Sequence, residues 1–366
     1  MSSKKNNFSS KERLYMNIAI NLAKDRIGLT GANPSVGCVI VKNDKIISIG
    51  QTSFNGRPHA EFNAIKNSTS NLKNSTIYVS LEPCSHYGKT PPCTNEIIKS
   101  KIKKIYFAIN DIDIRSYNKA EKILKSKNII VKKFLLKKEA SNIYKSYFYT
   151  KKYKLPYVLG KIACSKDNYI YSKNKTITNK FSKKLSHLLR YKTDGILISS
   201  KTLNSDNPKL TCRINGLEKF SPTRFILDKN LESKKNSSIV KTAKHIKTYI
   251  FFNKANHDKK KFFLKSGIIL VNLKLNENNQ FDLISVLKKI NDLGVSSLLV
   301  EGGKKLTINF IKENLFNKFY LFQSSIKLGK KGRFRISEIL KKLPASFKFK
   351  KKIDTYLDKD QLIYYY

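Results

Sequence analysis

Three side chains widely spaced in the sequence, His59, Cys84 and Cys93, make a ligand set that only a fold able to bring them to one point can satisfy. One imidazole and two thiols hold a metal at three corners and leave the fourth open. Glu61 follows the histidine by two residues and is not needed as a ligand. Structural zinc sites usually take four protein ligands, so three beside a spare carboxylate point to chemistry. The two thiolates ligate only when reduced, which fits a reducing cytosol.

His59-Ala60-Glu61 followed by Pro83-Cys84 and Cys93 has the form His-x-Glu, Pro-Cys, Cys. In that signature the zinc activates water and the glutamate moves protons during hydrolytic deamination. The spacing departs from it, with eight residues between the cysteines instead of two.

Strand and helix alternate around these residues. Leu14, Ile18, Ala19, Leu22 and Ala23 carry a helical spacing over 11–26. Val36–Val41 reads as a buried strand that Asn43-Asp44 turns back into Ile46–Ile49. Pro58 suits the first turn of a helix, which places His59 and Glu61 in that turn. Thr76–Leu81 is a strand feeding Cys84, and Cys93 opens a helix through Ser100. With strands at Ile105–Ile109 and Ile129–Lys132, residues 1–150 are expected to form a three-layer α/β sandwich. The basic, aromatic stretch Tyr144–Leu155 ends at Pro156 and is the expected junction. Residues 151–366 then repeat the alternation, with strands expected at Tyr157–Ile162, Gly195–Ser199, Phe225–Asp228, Thr248–Phe252, Ile268–Asn272, Leu298–Val300 and Lys318–Gln323. Both domains are therefore α/β.

The net charge of +47 raises the question of a nucleic-acid partner. The excess is mostly lysine, spread over the whole length with much Asn and Ile, whereas a binding footprint is clustered. It reads as compositional bias, and no nucleic-acid partner is expected. Five cysteines at irregular spacing do not make a disulfide framework. Met1–Arg13 lacks the apolar core of a signal peptide, and no apolar run approaches the roughly 18 residues of a membrane span. A cytoplasmic protein with no membrane partner is expected; self-association into a homo-oligomer is left open.

Asn33-Pro34-Ser35-Val36-Gly37, His59-Ala60-Glu61 and the long segment Leu81-Glu82-Pro83-Cys84-Ser85-His86-Tyr87-Gly88-Lys89-Thr90-Pro91-Pro92-Cys93 together resemble one family closely. It is the bifunctional riboflavin biosynthesis deaminase/reductase family, set apart from tRNA and cytidine deaminases by the long loop between its cysteines. The resemblance implies a cytidine-deaminase-like first domain in which His59, Cys84 and Cys93 bind one Zn²⁺, Glu61 shuttles protons and Asn33 touches the pyrimidine. It implies a small phosphorylated substrate, a diaminopyrimidinone carrying a phosphoribosylamino group. The second half resembles the family's dihydrofolate-reductase-like domain, in Arg190-Tyr191-Lys192-Thr193-Asp194-Gly195, Asp206-Asn207-Pro208-Lys209-Leu210-Thr211-Cys212-Arg213 and Val300-Glu301-Gly302-Gly303. That resemblance implies NADPH, with Ala163, Thr176, Thr202, Asp206 and Gly303 lining its site. It places Asn174, Arg190, Leu210, Arg213 and Glu301 on the substrate.

Three departures are visible. The loop after Ile109 reads Asn110-Asp111-Ile112-Asp113-Ile114-Arg115 where the family has Asp-Pro and later glycines. Ser165-Lys166-Asp167-Asn168 replaces Ser-Leu-Asp-Gly, and Asn174–Thr178 is a shortened form of a segment that carries a Trp; this chain has none. A deaminase with a degraded reductase half is the alternative reading. A nucleic-acid-directed zinc deaminase requires a short Cys-x-x-Cys and a clustered basic face, and neither is present.

Overall fold

A computed structural model describes residues 8–172, 176–353 and 355–366. The chain divides into two compact units between Lys154 and Leu155.

The first unit is built on a five-stranded sheet. Its strands are β1 (Gly37–Lys42), β2 (Lys45–Gln51), β3 (Thr76–Val79), β4 (Lys104–Phe107) and β5 (Ile130–Lys133), in the order β2-β1-β3-β4-β5. The β1–β2 hairpin and the β1–β3 pair are antiparallel, while β3, β4 and β5 run parallel. Helices are α1 (Ser10–Asp25), α2 (Ala60–Lys66), α3 (Cys93–Lys99), α4 (Ala120–Lys125) and α5 (Lys137–Tyr153). Helix α1 starts in a capping box, with Ser9 and Glu12 each accepting from the other's backbone N–H. It packs against α5, and α2, α3 and α4 form a second helical layer. Val39, Ile40, Ile77, Val79, Ile105 and Phe107 are fully buried between the layers.

Two glycines let the helices close on the sheet. A Cβ on Gly37 would strike the α1 backbone at Ala19, and one on Gly50 would strike the α2 backbone at Ala60 and Ala64. Gly50 therefore sets the height of the helix that begins at the candidate site. Gly50→Ala is expected to destabilise the first unit by about 1–3 kcal/mol through overpacking, and to weaken deamination more than reduction. Urea unfolding and parallel assays of the two activities check this.

The second unit holds a nine-stranded sheet. Its strands are β6 (Tyr157–Cys164), β8 (Gly195–Ser199), β9 (Thr223–Leu227), β10 (Thr248–Phe252), β11 (Ile269–Asn272), β12 (Ser297–Val300), β13 (Lys318–Gln323), β15 (Lys350–Ile353) and β16 (Gln361–Tyr365); β7 (Tyr169–Tyr171) and β14 (Arg333–Arg335) pair separately. The order is β11-β10-β9-β8-β12-β6-β13-β16-β15. Strands β11 through β13 in that order are parallel, and β16 and β15 add antiparallel strands at one edge. In an open parallel sheet ligands gather at the carboxyl ends of the strands. Here those ends deliver Ala163 from β6, Ser199 from β8 and Glu301 after β12. Helix α6 (Lys180–Tyr191) precedes β8 and helix α7 (Ser200–Asp206) follows it.

Several elements differ from expectation. Pro58 stands before the helix instead of in its first turn: His59 is the N-cap, in extended conformation, and α2 starts at Ala60. Most of the stretch Tyr144–Leu155 is the last part of α5, whose inner face is Ala140, Tyr144 and Tyr147, and the division between the units falls at its end. The Tyr144 hydroxyl meets Ser80 Oγ at 2.6 Å, which fastens α5 beside the end of β3.

Candidate functional site

The end of β3 and the starts of α2 and α3 meet at one place. His59 caps α2, Cys84 follows β3, and Cys93 is the first residue of α3. His59 Nδ1 lies 3.6 Å from Cys84 Sγ and 3.4 Å from Cys93 Sγ. The three ligand atoms all fall within 4.8 Å of one another. Around a tetrahedral zinc, with Zn–N near 2.0 Å and Zn–S near 2.3 Å, nitrogen and sulfur ligands stand roughly 3.5 Å apart. The donor set and its spacing fit that ion. The Cys93 backbone N–H also donates to Cys84 Sγ at 3.2 Å, a bond suited to a thiolate. Hydrogen bonding from Cys93, aided by His59, lowers the Cys84 thiol to about 4 against the effect of burial. Cys93 is pushed up by its bond to Cys84 and by burial.

Glu61 sits in the first turn of α2 and is 3% exposed. Burial, then the charge on Cys84, raises its carboxyl to about 7, with His59 pulling the other way. A carboxyl that titrates near neutrality both accepts and returns protons. Asn33 lies beneath the turn that leads into His59: a Cβ on Gly56 would strike its side chain. Gly56 needs its freedom, with φ of 89°.

The loop that departs from the family pattern is ordered by its own carboxylates. Asp111 accepts from the Tyr147 hydroxyl at 3.0 Å, and Asp113 pairs with Arg115 at 2.7 Å and Lys151 at 3.1 Å. Glu82 accepts from the backbone N–H groups of Asp111, Asn118 and Ala120 at 3.1–3.2 Å. His86 Nδ1 meets Ser116 Oγ at 2.9 Å, so the loop also holds the segment between the cysteines. Sequence reasoning did not single out Glu82, although its place two residues before Cys84 was a usable signal.

In the second unit, a cavity of about 750 Å³ opens at the carboxyl ends of β6, β8 and β12. Ala163, Thr202, Asp206 and Gly303 line it, with Glu301 and Lys161. Gly303 approaches Thr202 closely, since a Cβ there would stand 3.3 Å from the hydroxyl. Thr176 is exposed and does not line this cavity. Asn174 lies outside the described residues. Arg190 clamps Glu301 with two hydrogen bonds of 2.7 and 2.9 Å, and Lys161 Nζ lies 3.8 Å from the same carboxylate. Burial alone would raise Glu301, but Arg190 and Lys161 outweigh it and hold the carboxyl at about 2. Leu210 is buried, and Arg213, three residues further on, is exposed. Lys161 was missed; a lysine inside the otherwise apolar run Tyr157–Cys164 was its signal. Asn168 takes φ of 69° in the turn where the family has glycine, a conformation Asn tolerates.

Residues 156–354 match the RibD C-terminal domain, and residues 9–109 match the cytidine and deoxycytidylate deaminase zinc-binding region. Riboflavin biosynthesis protein RibD of Aquifex aeolicus is 32% identical over 97% of this chain and 98% of its own length. The chain belongs to the RibD family. The RibD of Bacillus amyloliquefaciens is 34% identical over 87% of this chain and 85% of its own. Among solved structures, Acinetobacter baumannii RibD superposes with a TM-score of 0.83 at 25% identity, covering 97% of this chain and 98% of that one. The Thermotoga maritima diaminohydroxyphosphoribosylaminopyrimidine deaminase/5-amino-6-(5-phosphoribosylamino)uracil reductase gives 0.79 at 29% identity, over 96% and 97%. Like other RibD proteins the chain is a bifunctional enzyme of riboflavin biosynthesis, a zinc-binding-type deaminase domain followed by a reductase domain. No helix among the described residues is long and apolar enough to cross a membrane.

Proposed function

We propose that the first domain, residues 1–150, hydrolyses the 2-amino group of 2,5-diamino-6-(5-phosphoribosylamino)pyrimidin-4(3H)-one. The products are 5-amino-6-(5-phosphoribosylamino)uracil and ammonia. His59, Cys84 and Cys93 would hold one Zn²⁺ per chain, and the ion would supply the Lewis acidity that makes water a nucleophile near neutral pH. Glu61 accepts a proton from the attacking water and passes it to the ring nitrogen beside the carbon under attack; it then takes the hydroxyl proton of the adduct and delivers it to the amine, which leaves as ammonia while the carbonyl forms. Its burial in the first turn of α2 supports this role. Asn33 orients the pyrimidine.

The second domain, residues 151–366, reduces the ribosyl group to ribityl. Ala163, Thr202, Asp206 and Gly303, which line the cavity, would hold NADPH, and the cofactor would supply the hydride there. Arg190, Arg213 and Glu301 hold the substrate, and Lys161 offers a proton to the ring oxygen released when the sugar opens. Thr176 and Asn174 are assigned to cofactor and substrate binding on the family resemblance alone. The enzyme works in the cytoplasm on a small anionic substrate, which its positive charge attracts.

The observation that carries this reading is the convergence of one imidazole and two thiols beside a buried carboxylate. Ammonia release from the diaminopyrimidine, with NADPH oxidation followed in the same tube, tests both halves. Ammonia without NADPH oxidation would leave a deaminase-only enzyme.

A further inference from the structure

Residues 207–213 lead from α7 towards β9 with no regular secondary structure, so side chains must hold their backbone polar groups. Asn207 and Leu210 both adopt left-handed backbone, with φ of 42° and 55°. Asn tolerates that region, but a leucine enters it only where its surroundings force it. The tethers are specific. Arg224, fully buried, donates from Nη1 to the Lys209 carbonyl at 3.4 Å. The Cys212 N–H donates to Ser221 Oγ at 3.1 Å. Between them the Thr211 carbonyl accepts twice, from Arg190 Nη1 at 3.1 Å and from His187 Nδ1 at 3.0 Å.

His187 and Arg190 lie one turn apart on α6. Arg190 has already committed Nε and Nη2 to Glu301, so one nitrogen is left for the arm. One donor fixes the distance to a carbonyl; two donors from different directions, on its two lone pairs, also fix its orientation. A carbonyl only accepts, so His187 must carry its proton on Nδ1. Burial, with the charges of Arg190 and Arg213, lowers this imidazole to about 4. It therefore serves as a neutral donor and adds no third positive charge beside the two guanidiniums.

We propose that His187 is a positioning residue of the reductase site: by donating from Nδ1 to the Thr211 carbonyl it sets the 210–213 arm, so that Arg213 faces the phosphorylated substrate while Arg190 stays clamped on Glu301. This rests on the reductase reading given above. Two full-length variants test it. His187→Phe keeps a ring but loses the donor. His187→Asn keeps a donor at the same number of bonds from the backbone. In the Phe variant the reductase KM for the pyrimidine should rise roughly three- to tenfold, the worth of one net hydrogen bond. The kcat, the KM for NADPH and the deaminase rate should not change, and the Asn variant should restore the wild-type KM. An unchanged KM in the Phe variant, a joint loss of kcat and NADPH affinity, or an Asn variant no better than Phe would overturn the proposal. Calorimetric titration with ribose 5-phosphate reads the same arm without turnover. Weaker binding in Phe alone supports the assignment, and equal affinities in all three proteins overturn it. Wild-type protein that fails to oxidise NADPH counts against the reductase reading instead.

Discussion

Glu61→Gln is expected to keep one zinc per chain and to lose deamination by about a thousandfold, within the range for removing a general acid–base. The side chain is not among the grouped ligand atoms, so metal binding does not depend on it. Gln preserves size and hydrogen bonding at a site that is 3% exposed, so packing should survive. What disappears is a group able to take up and deliver a proton twice, once to the ring and once to the departing amine. Metal analysis beside the ammonia assay separates the two effects. A variant that deaminates at the wild-type rate removes the proton-shuttle role, and one that has lost its zinc makes Glu61 part of the metal site. Reduction of the uracil product should proceed normally in the same protein.

Arg190→Met should be the most damaging change in the second unit. It removes two short hydrogen bonds from Glu301 and leaves that carboxylate with Lys161 at 3.8 Å. Removing one partner of a buried ion pair costs about 3–5 kcal/mol, because the other charge stays behind without full compensation. Chemical denaturation should show this loss, with reductase activity abolished and deamination retained. The acid response follows from Glu301, whose carboxyl is lowered from an ordinary 4.5 to about 2. A depressed carboxylate stabilises the fold fully above its unfolded value and gives that stability up as protons bind. The wild type should therefore lose on the order of 3 kcal/mol between pH 4.5 and 2 from this group. Arg190→Met should lose much less in that window. Equal acid slopes in the two proteins would contradict the assignment of the shift to Arg190.

The candidate metal site was plain in the sequence, since its residue types and offsets are those that coordination chemistry asks for. The central strands were also legible, as apolar runs rich in β-branched residues, such as Val36–Val41, or in aromatic ones, such as Lys318–Gln323. What escaped was structure made by tertiary pairing. Helix α5 buries Ala140, Tyr144 and Tyr147 among lysines, so its apolar stripe is narrow and polar at the rim. Strand β15 is Lys350-Lys351-Lys352-Ile353, with no strand pattern of its own; β16 pairs with it and makes it one. An exposed row of lysines suits a sheet edge, where charge discourages further pairing. Lys161 and His187 escaped for another reason. Their roles depend on a carboxylate or carbonyl far away in sequence, and no local spacing announces that.

Metal content and deamination measured together on the purified chain address the central claim most directly. Wild-type protein should contain one zinc per chain, lose ammonia release on chelation while keeping NADPH oxidation, and recover when zinc alone is returned. Cys84→Ser and Cys93→Ser should each bind zinc poorly and deaminate poorly in proportion. Undiminished deamination by chain shown to be free of zinc would contradict the account.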